Sequence, residues 1–188
     1  MYQECLQDAR LFALILKIDE DVADEARRAG CPCGGVLHAA HYPRKPRGGP
    51  ANLGTEYAVR FSFCCAVDGC RRRVTPCSLR FLGRKVFFAV AVLLVPVLRS
   101  GGRLVRHLGQ LVGVSGRTMR RWQRWWREEF SHSRHWQGSR GRFIRPVPRE
   151  TLPSSLLATW IDVAGPASRV LCALRFLSPI TTGRGLAV

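Results

Sequence analysis

Acidic side chains are scarce in this sequence, and unevenly so. Its 188 residues hold 13 Asp and Glu against 30 Lys and Arg, a formal net charge of +17. Seven of the acids (Glu4, Asp8, Asp19, Glu20, Asp21, Asp24 and Glu25) lie within the first 25 residues, where only Arg10 and Lys17 oppose them; the rest carries 28 basic and six acidic side chains. A phosphoryl-transfer centre that holds two divalent cations needs several converging carboxylates. Late in the chain only Glu128, Glu129, Glu150 and Asp162 remain, and no strand pattern presents them. The sequence also lacks a GxxxxGK(S/T) phosphate loop, an HExxH pair and a Ser/His/Asp arrangement. These absences argue against a stand-alone enzyme. Long apolar runs are missing too: the longest, Val86 to Leu98, has 13 residues and contains Pro96, whereas a bilayer span needs about 20. It predicts a buried core helix over residues 84–99, kinked or ended by the proline, and no membrane partner. No basic leader precedes the apolar LFALILKI near the start, and acids follow it, so no secretory signal is expected and a cytoplasmic, nucleoid-associated location is. No internal repeat is evident.

What is abundant is arginine. Lys17, Lys45 and Lys85 are the only lysines, and the guanidinium fork suits bidentate contacts with phosphate and guanine. The obvious partner for such a chain is a polyanion, with nucleic acid first.

Cysteine is the second abundance. Six of the eight lie from Cys31 to Cys77, five of them in two clusters, CPCGG and FCCAVDGC, with Cys77 seven residues beyond the second and Cys5 and Cys172 apart. Paired clusters in a reducing setting favour metal over disulfides. Two ligand pairs delivered by tight turns and joined by a hairpin-like connector outline a zinc ribbon. Cys31 and Cys33 supply the first pair, with Gly34 and Gly35 letting backbone amides approach the thiolates. Cys65 and Cys70 supply the second, carried in by the strand-like run Tyr57 to Phe63. The knuckles are CxC and Cx4C rather than CxxC, which leaves Cys64, His38 and His41 as alternative ligands. Four such ligands close the site, so the zinc is expected to be structural.

The third signal is LVRHLGQLVGVSGRTMRRWQRWWREEF, residues 104–130. Leu104, Leu108 and Leu111 recur at helical spacing, Gly109 leaves room for a close helix crossing, and Gly113 suits a left-handed turn. Val112 and Val114 flank that glycine, and Ser115 can cap the following helix. There Met119, Trp122 and Trp126 share one side, while Arg117, Arg120, Arg121 and Arg124 share another. This pattern is that of a helix-turn-helix, which packs its second helix by the apolar side and offers the basic side to the major groove. Candidate DNA-contacting residues are Ser115, Arg117, Thr118, Arg120, Arg121 and Arg124.

The remaining segments are plainer. Residues 4–29 predict one or two helices, ended by Gly30, that pack by Leu11, Leu14, Ile15 and Ile18 and leave a solvated acidic face. Arg44, Lys45 and Arg47, spaced by prolines, predict an extended basic loop, either following a phosphate backbone or a solvated connector. Arg71, Arg72 and Arg73 add cations beside the second cysteine pair. Residues 131–150 are basic and rich in glycine and proline, a linker ordered on DNA if at all. Leu156, Leu157, Trp160 and Ile161, then Val170, Leu171, Leu174 and Leu177, predict a C-terminal helical pair divided at Gly165-Pro166.

The cysteine clusters followed by GVSGRTMRRWQRWW resemble the N-terminal DNA-binding region of bacterial insertion-sequence transposases and their small accessory proteins. CPCGGVLHAAHYPRKPRG, FCCAVDGCRRRVTP and RFLGRKV are similar to a transposon-associated group of such proteins. The resemblance implies metal ligation by Cys31, Cys33, Cys65 and Cys70 and DNA contact by Ser115 to Arg124. The expected architecture is mainly α with a small β zinc ribbon. It divides into an acidic amphipathic helix (1–30), a ribbon lobe (31–78), a three-helix helix-turn-helix domain (79–130), a basic linker (131–150) and a C-terminal helical segment (151–188). The expected function is sequence-specific binding of double-stranded DNA for a bacterial mobile element, as accessory protein, truncated transposase or local regulator. A transposase or recombinase and a second copy of the chain are the further candidate partners. The rival readings are an RNA-binding or ribonucleoprotein assembly factor and an adaptor for an element-encoded enzyme.

Overall fold

The computed structural model describes residues 2–83, 85–98 and 112–182. About half of the chain is helical, and a small three-stranded antiparallel sheet accompanies the helices. A short 3-10 turn, Glu4–Leu6, leads into α1, Ala9–Ala29. Asp8 caps α1 by accepting the amides of Arg10 and Leu11 at 2.9 and 3.2 Å, and Gly30 ends it. Leu11, Phe12, Ile15 and Leu16 form its buried stripe. Leu14, expected in that stripe, is 47 % exposed. The acidic face is solvated as expected, except at Asp19, which is buried.

Asp19 is the polar centre of the molecule. Its carboxylate accepts Arg80 Nε at 2.8 Å, Ser78 Oγ at 2.5 Å and the Leu79 amide at 2.6 Å. Arg80 is itself fully buried, lies near the rings of Phe61 and Phe81, and donates to the carbonyls of Glu56 and Tyr57. An ion pair out of water persists only when such hydrogen bonds surround it. Here they fasten α1 to the segment that leaves the cysteine lobe.

That lobe is built from β1 (Leu37–Ala39), β2 (Tyr42–Pro43), β3 (Val59–Arg60), β4 (Phe63–Cys65) and β5 (Arg73–Val74). The three-stranded sheet runs β1-β4-β5, with Leu37 opposite Cys65, His38 opposite Cys64 and Phe63 opposite Val74; β2 and β3 form a separate pair. Alternation along the strands puts Leu37, Phe63 and Cys65 inside. Together with Ala23 and Cys31 they make a core of their own.

The larger core unites α1 with α2 (Ala89–Leu98), α3 (Gly116–Arg124), α4 (Arg134–Ser139), α5 (Ser154–Ala158) and α6 (Pro166–Leu177). Described residues of the segments 1–30, 79–130, 131–150 and 151–188 therefore share one apolar interior. The helix expected over 84–99 begins only at Ala89. Before it, Phe88 donates its amide to Arg47 and Arg47 donates to Val86, so the chain is extended there. Every residue from Ala89 to Pro96 is buried, and α2 continues past the proline to Leu98. Pro96 has no N–H for the carbonyl four residues earlier, that of Val92. The indole N–H of Trp126 donates to that carbonyl instead, at 3.2 Å. The proline thus frees the acceptor that seats the tryptophan-rich helix.

Residues 131–150, expected as a linker, contain α4. Ser133 caps it by accepting the Trp136 amide at 3.2 Å. Trp136 lies 5.3 Å from the Phe130 ring centroid and is buried, enough apolar area to hold the basic segment down. The C-terminal pair forms where expected, with Leu156, Leu157, Val170, Leu174 and Leu177 buried; Ile161 is exposed. Among the described residues, no helix is long and apolar enough to cross a membrane.

Candidate functional site

The chain leaves α1 and turns at once through Cys31-Pro32-Cys33-Gly34-Gly35. The Gly34 amide donates to the Cys31 carbonyl at 2.8 Å, and the Cys31 amide donates to the Gly35 carbonyl at 2.9 Å. On the far side, β4 delivers Cys65, and a turn brings the Cys70 amide to the Val67 carbonyl at 3.1 Å. The sulfurs of Cys31, Cys33, Cys65 and Cys70 all lie within 4.8 Å of one another. Cys31 and Cys70 are 3.7 Å apart and Cys33 and Cys65 are 3.5 Å apart. Four sulfurs about 2.3 Å from one tetrahedral ion would be about 3.8 Å apart. The thiols are therefore gathered at close to ligand spacing, and the group could hold a metal ion. Gly35 makes the approach possible. A Cβ there would meet Val67 Cγ2 at 2.6 Å and Cys65 Sγ at 2.7 Å.

These four are the expected ligands, and the alternatives point elsewhere. Cys64 is adjacent to Cys65 on a strand and so faces the opposite side, where its sulfur contacts the Arg71 carbonyl. His38 is exposed on that face. His41 is bound by its Nδ1 to the Ser62 backbone and packs against Phe61 and Phe63. Cys77, Cys5 and Cys172 are free thiols outside the group.

Crowding splits the thiols. The Gly35 amide beside Cys33, then the thiols of Cys31, Cys70 and Cys65, hold Cys33 down at about 7. At Cys65 the Val67 amide favours the thiolate, but burial and proton sharing with Cys33, Cys31 and Cys70 outweigh it and push the thiol up to about 12. One negative charge is accommodated before the next is resisted. A divalent cation held by these thiols would remove that resistance and displace the remaining protons.

The second candidate region is the basic helix. Leu104, Leu108, Gly109 and Leu111, the expected first helix of the helix-turn-helix, lie outside the described residues. From Val112 onward the pattern can be followed. Gly113 takes a φ of 62°, and Val112 and Val114 are buried on either side of it. Ser115 caps α3 by accepting the Thr118 amide at 3.3 Å. Met119 and Trp122 are buried, with Trp122 edge-on to Phe87 at 4.9 Å, while Arg117, Arg120, Arg121 and Arg124 are exposed. Arg124 pairs at 4.0 Å with exposed Glu128, a contact worth little. Beyond Arg124 the helix widens into a π turn, Trp125–Phe130, that buries Trp125, Trp126 and Phe130 together.

The other basic groups are more tethered than their sequence suggests. Arg44 donates to the carbonyls of Gly83 and Lys85 at 3.3 and 2.6 Å, so the proline-spaced loop is pinned to the segment before α2. Lys45 and Arg47 remain exposed. Arg71 pairs with Asp68 at 2.5 Å, and Arg73 lies over the Tyr42 ring. Arg60, buried on β3, donates to the Pro76 carbonyl at 2.5 Å. Neither Arg60, Asp19 nor Arg80 was marked by its local sequence, because each takes its meaning from residues far along the chain. Comparison with protein-family models, with curated proteins and with solved structures finds no match to this chain, so the functional reading rests on these side chains.

Proposed function

We propose that this chain is a sequence-specific double-stranded-DNA-binding protein of a bacterial mobile element, acting as a transposase-like accessory factor or local regulator. It reads DNA with a helix-turn-helix whose second helix is α3. One structural zinc ion is held by Cys31, Cys33, Cys65 and Cys70. The observation that carries the reading is the division of α3: Met119 and Trp122 inside, four arginines outside, directly after a left-handed turn and a serine cap. Such a helix enters a major groove by its N-terminal half, where Arg117 and Arg121 reach base edges while Arg120 and Arg124 meet phosphates. The zinc belongs to the scaffold, since four thiolates leave no open position for substrate. A transposase or recombinase, or a second copy of the chain, would complete the assembly on the element's DNA.

Selection of bound sequences from a random duplex library is the deciding experiment. A single enriched motif is expected, and paired half-sites in it would report a dimer. Recovery of unenriched sequence, or preference for structured RNA over duplex at moderate salt, would overturn the reading.

A further inference from the structure

A cleft of about 870 Å³ opens between the cysteine lobe and the helical body. Its walls come from separate parts of the chain: Arg44 from the loop after β2, Arg60 from β3, Lys85 from the segment before α2, and Arg121, Trp125 and Glu129 from α3 and the π turn. Four cationic side chains thus face one carboxylate. We propose that this cleft binds a phosphate ester, with the phosphate between Arg60, Lys85 and Arg121 and the organic part against the apolar wall of Trp125 and Phe87.

Like charges are costly to assemble unless an anion joins them. Arg60 is 3 % exposed, and its Nη1 has no hydrogen-bond partner among the described residues. A buried donor left unmet is a group awaiting an acceptor. The Lys85 ammonium stands 3.9 Å from the Trp125 ring centroid, and burial foremost lowers it to about 8, with Glu129 raising it and Arg121 lowering it further. Arg44, whose guanidinium is tied to two carbonyls, fixes the rim and adds charge. A tetrahedral oxyanion can accept from three directions at once, as these heads require. The volume exceeds that of phosphate alone and lies in the range of small-molecule sites. The ester could come from a mononucleotide or from the end of a nucleic-acid strand. The site does not depend on α3 reading a DNA sequence.

Calorimetric titration of the full chain tests it, using inorganic phosphate, a nucleoside 5′-monophosphate, the unphosphorylated nucleoside, and a short single strand with and without a 5′-phosphate. The monophosphate should bind more tightly than inorganic phosphate, and the nucleoside should not bind. Tighter binding of the 5′-phosphorylated strand than of the mononucleotide also supports the site and identifies the strand end as the source. Lys85→Gln should weaken the monophosphate at least about tenfold, the loss of one charge-assisted contact, without altering the duplex sequence selected. Arg121→Gln, at an exposed position, should weaken it in the same direction and serves if Lys85→Gln lowers the melting temperature.

Proton uptake gives a further readout. At pH 8.5 the ester is a dianion, so uptake on binding reports Lys85, whose charge the anion restores within the field of Arg44, Arg60, Arg121, Glu129 and Tyr42. Lys85→Gln should abolish that uptake. Absence of binding at millimolar ester, equal binding of the unphosphorylated nucleoside, or affinity indifferent to both substitutions would overturn the proposal.

Discussion

Stripping metal from the purified protein with a strong chelator should unfold the cysteine lobe and spare the helical body. The lobe's own core consists of Ala23, Cys31, Leu37, Phe63 and Cys65, and two of these five belong to the four-cysteine group that could hold a metal ion. Leu37 and Phe63 contribute roughly 1.5–3 kcal/mol each by burial. A structural zinc site contributes about 10–16 kcal/mol at neutral pH, so an ion held by the four thiols would outweigh the apolar contacts severalfold. The two parts can be followed separately. All five tryptophans (Trp122, Trp125, Trp126, Trp136 and Trp160) lie in the helical body, so their fluorescence reports that core alone. Hydrogen exchange at the amides of Cys65 and Ala66, which donate to Arg72 and Val36, reports the lobe. The protein as purified should carry about one zinc per chain. Chelation should deprotect those amides while the tryptophan emission stays native, and added zinc should restore them. Protection that persists after chelation, in protein shown to be free of metal, would refute the reasoning.

Other substitutions probe the remaining arguments. Arg121→Ala should reduce affinity for the selected duplex by ~1–3 kcal/mol if it reads a guanine; unchanged affinity and preference would remove that assignment. Asp19→Ala strands Arg80 without its counter-charge and should cost ~3–5 kcal/mol in denaturant unfolding, whereas a loss below ~1 kcal/mol would show that the pair is not a fastening. Trp126→Phe leaves the Val92 carbonyl unmet and should cost ~1–3 kcal/mol. Adding Pro96→Ala supplies a backbone N–H to that carbonyl and should recover part of the loss; simple additivity of the two changes would contradict the link between them.

The parts legible in the sequence are those set by neighbours along the chain. Ser115 caps α3 because the amide it binds is three residues away, whereas the helix expected from residue 4 starts only after the Asp8 cap. Gly113 turns the chain before α3, and the apolar and basic sides of α3 follow from helical period alone. Strand alternation lets either Cys65 or Cys64 face the other cysteines, and the pairing of β1 with β4 has Cys65 inside, beside Cys31, Cys33 and Cys70. α2 is shorter than its apolar run predicts, because such a run reads alike in a helix and in a buried extended segment. The backbone of Arg47 captures residues 86–88 and delays the helix. Residues 131–150 looked like a linker by composition, yet one tryptophan inserted into a distant core orders part of them.

By itself the sequence determined the charge distribution, the two cysteine clusters, the basic helix and its cap, since each depends on residue identity and short spacing. Tertiary structure alone brought four sulfurs within 4.8 Å of one another, buried Asp19 against Arg80 across 61 positions, and drew Arg44, Arg60, Lys85 and Arg121 around one cleft. The physical reason is the same in each case. Desolvation, ion pairing and ligand geometry act through distances in space, which a local pattern cannot encode and a packed core can.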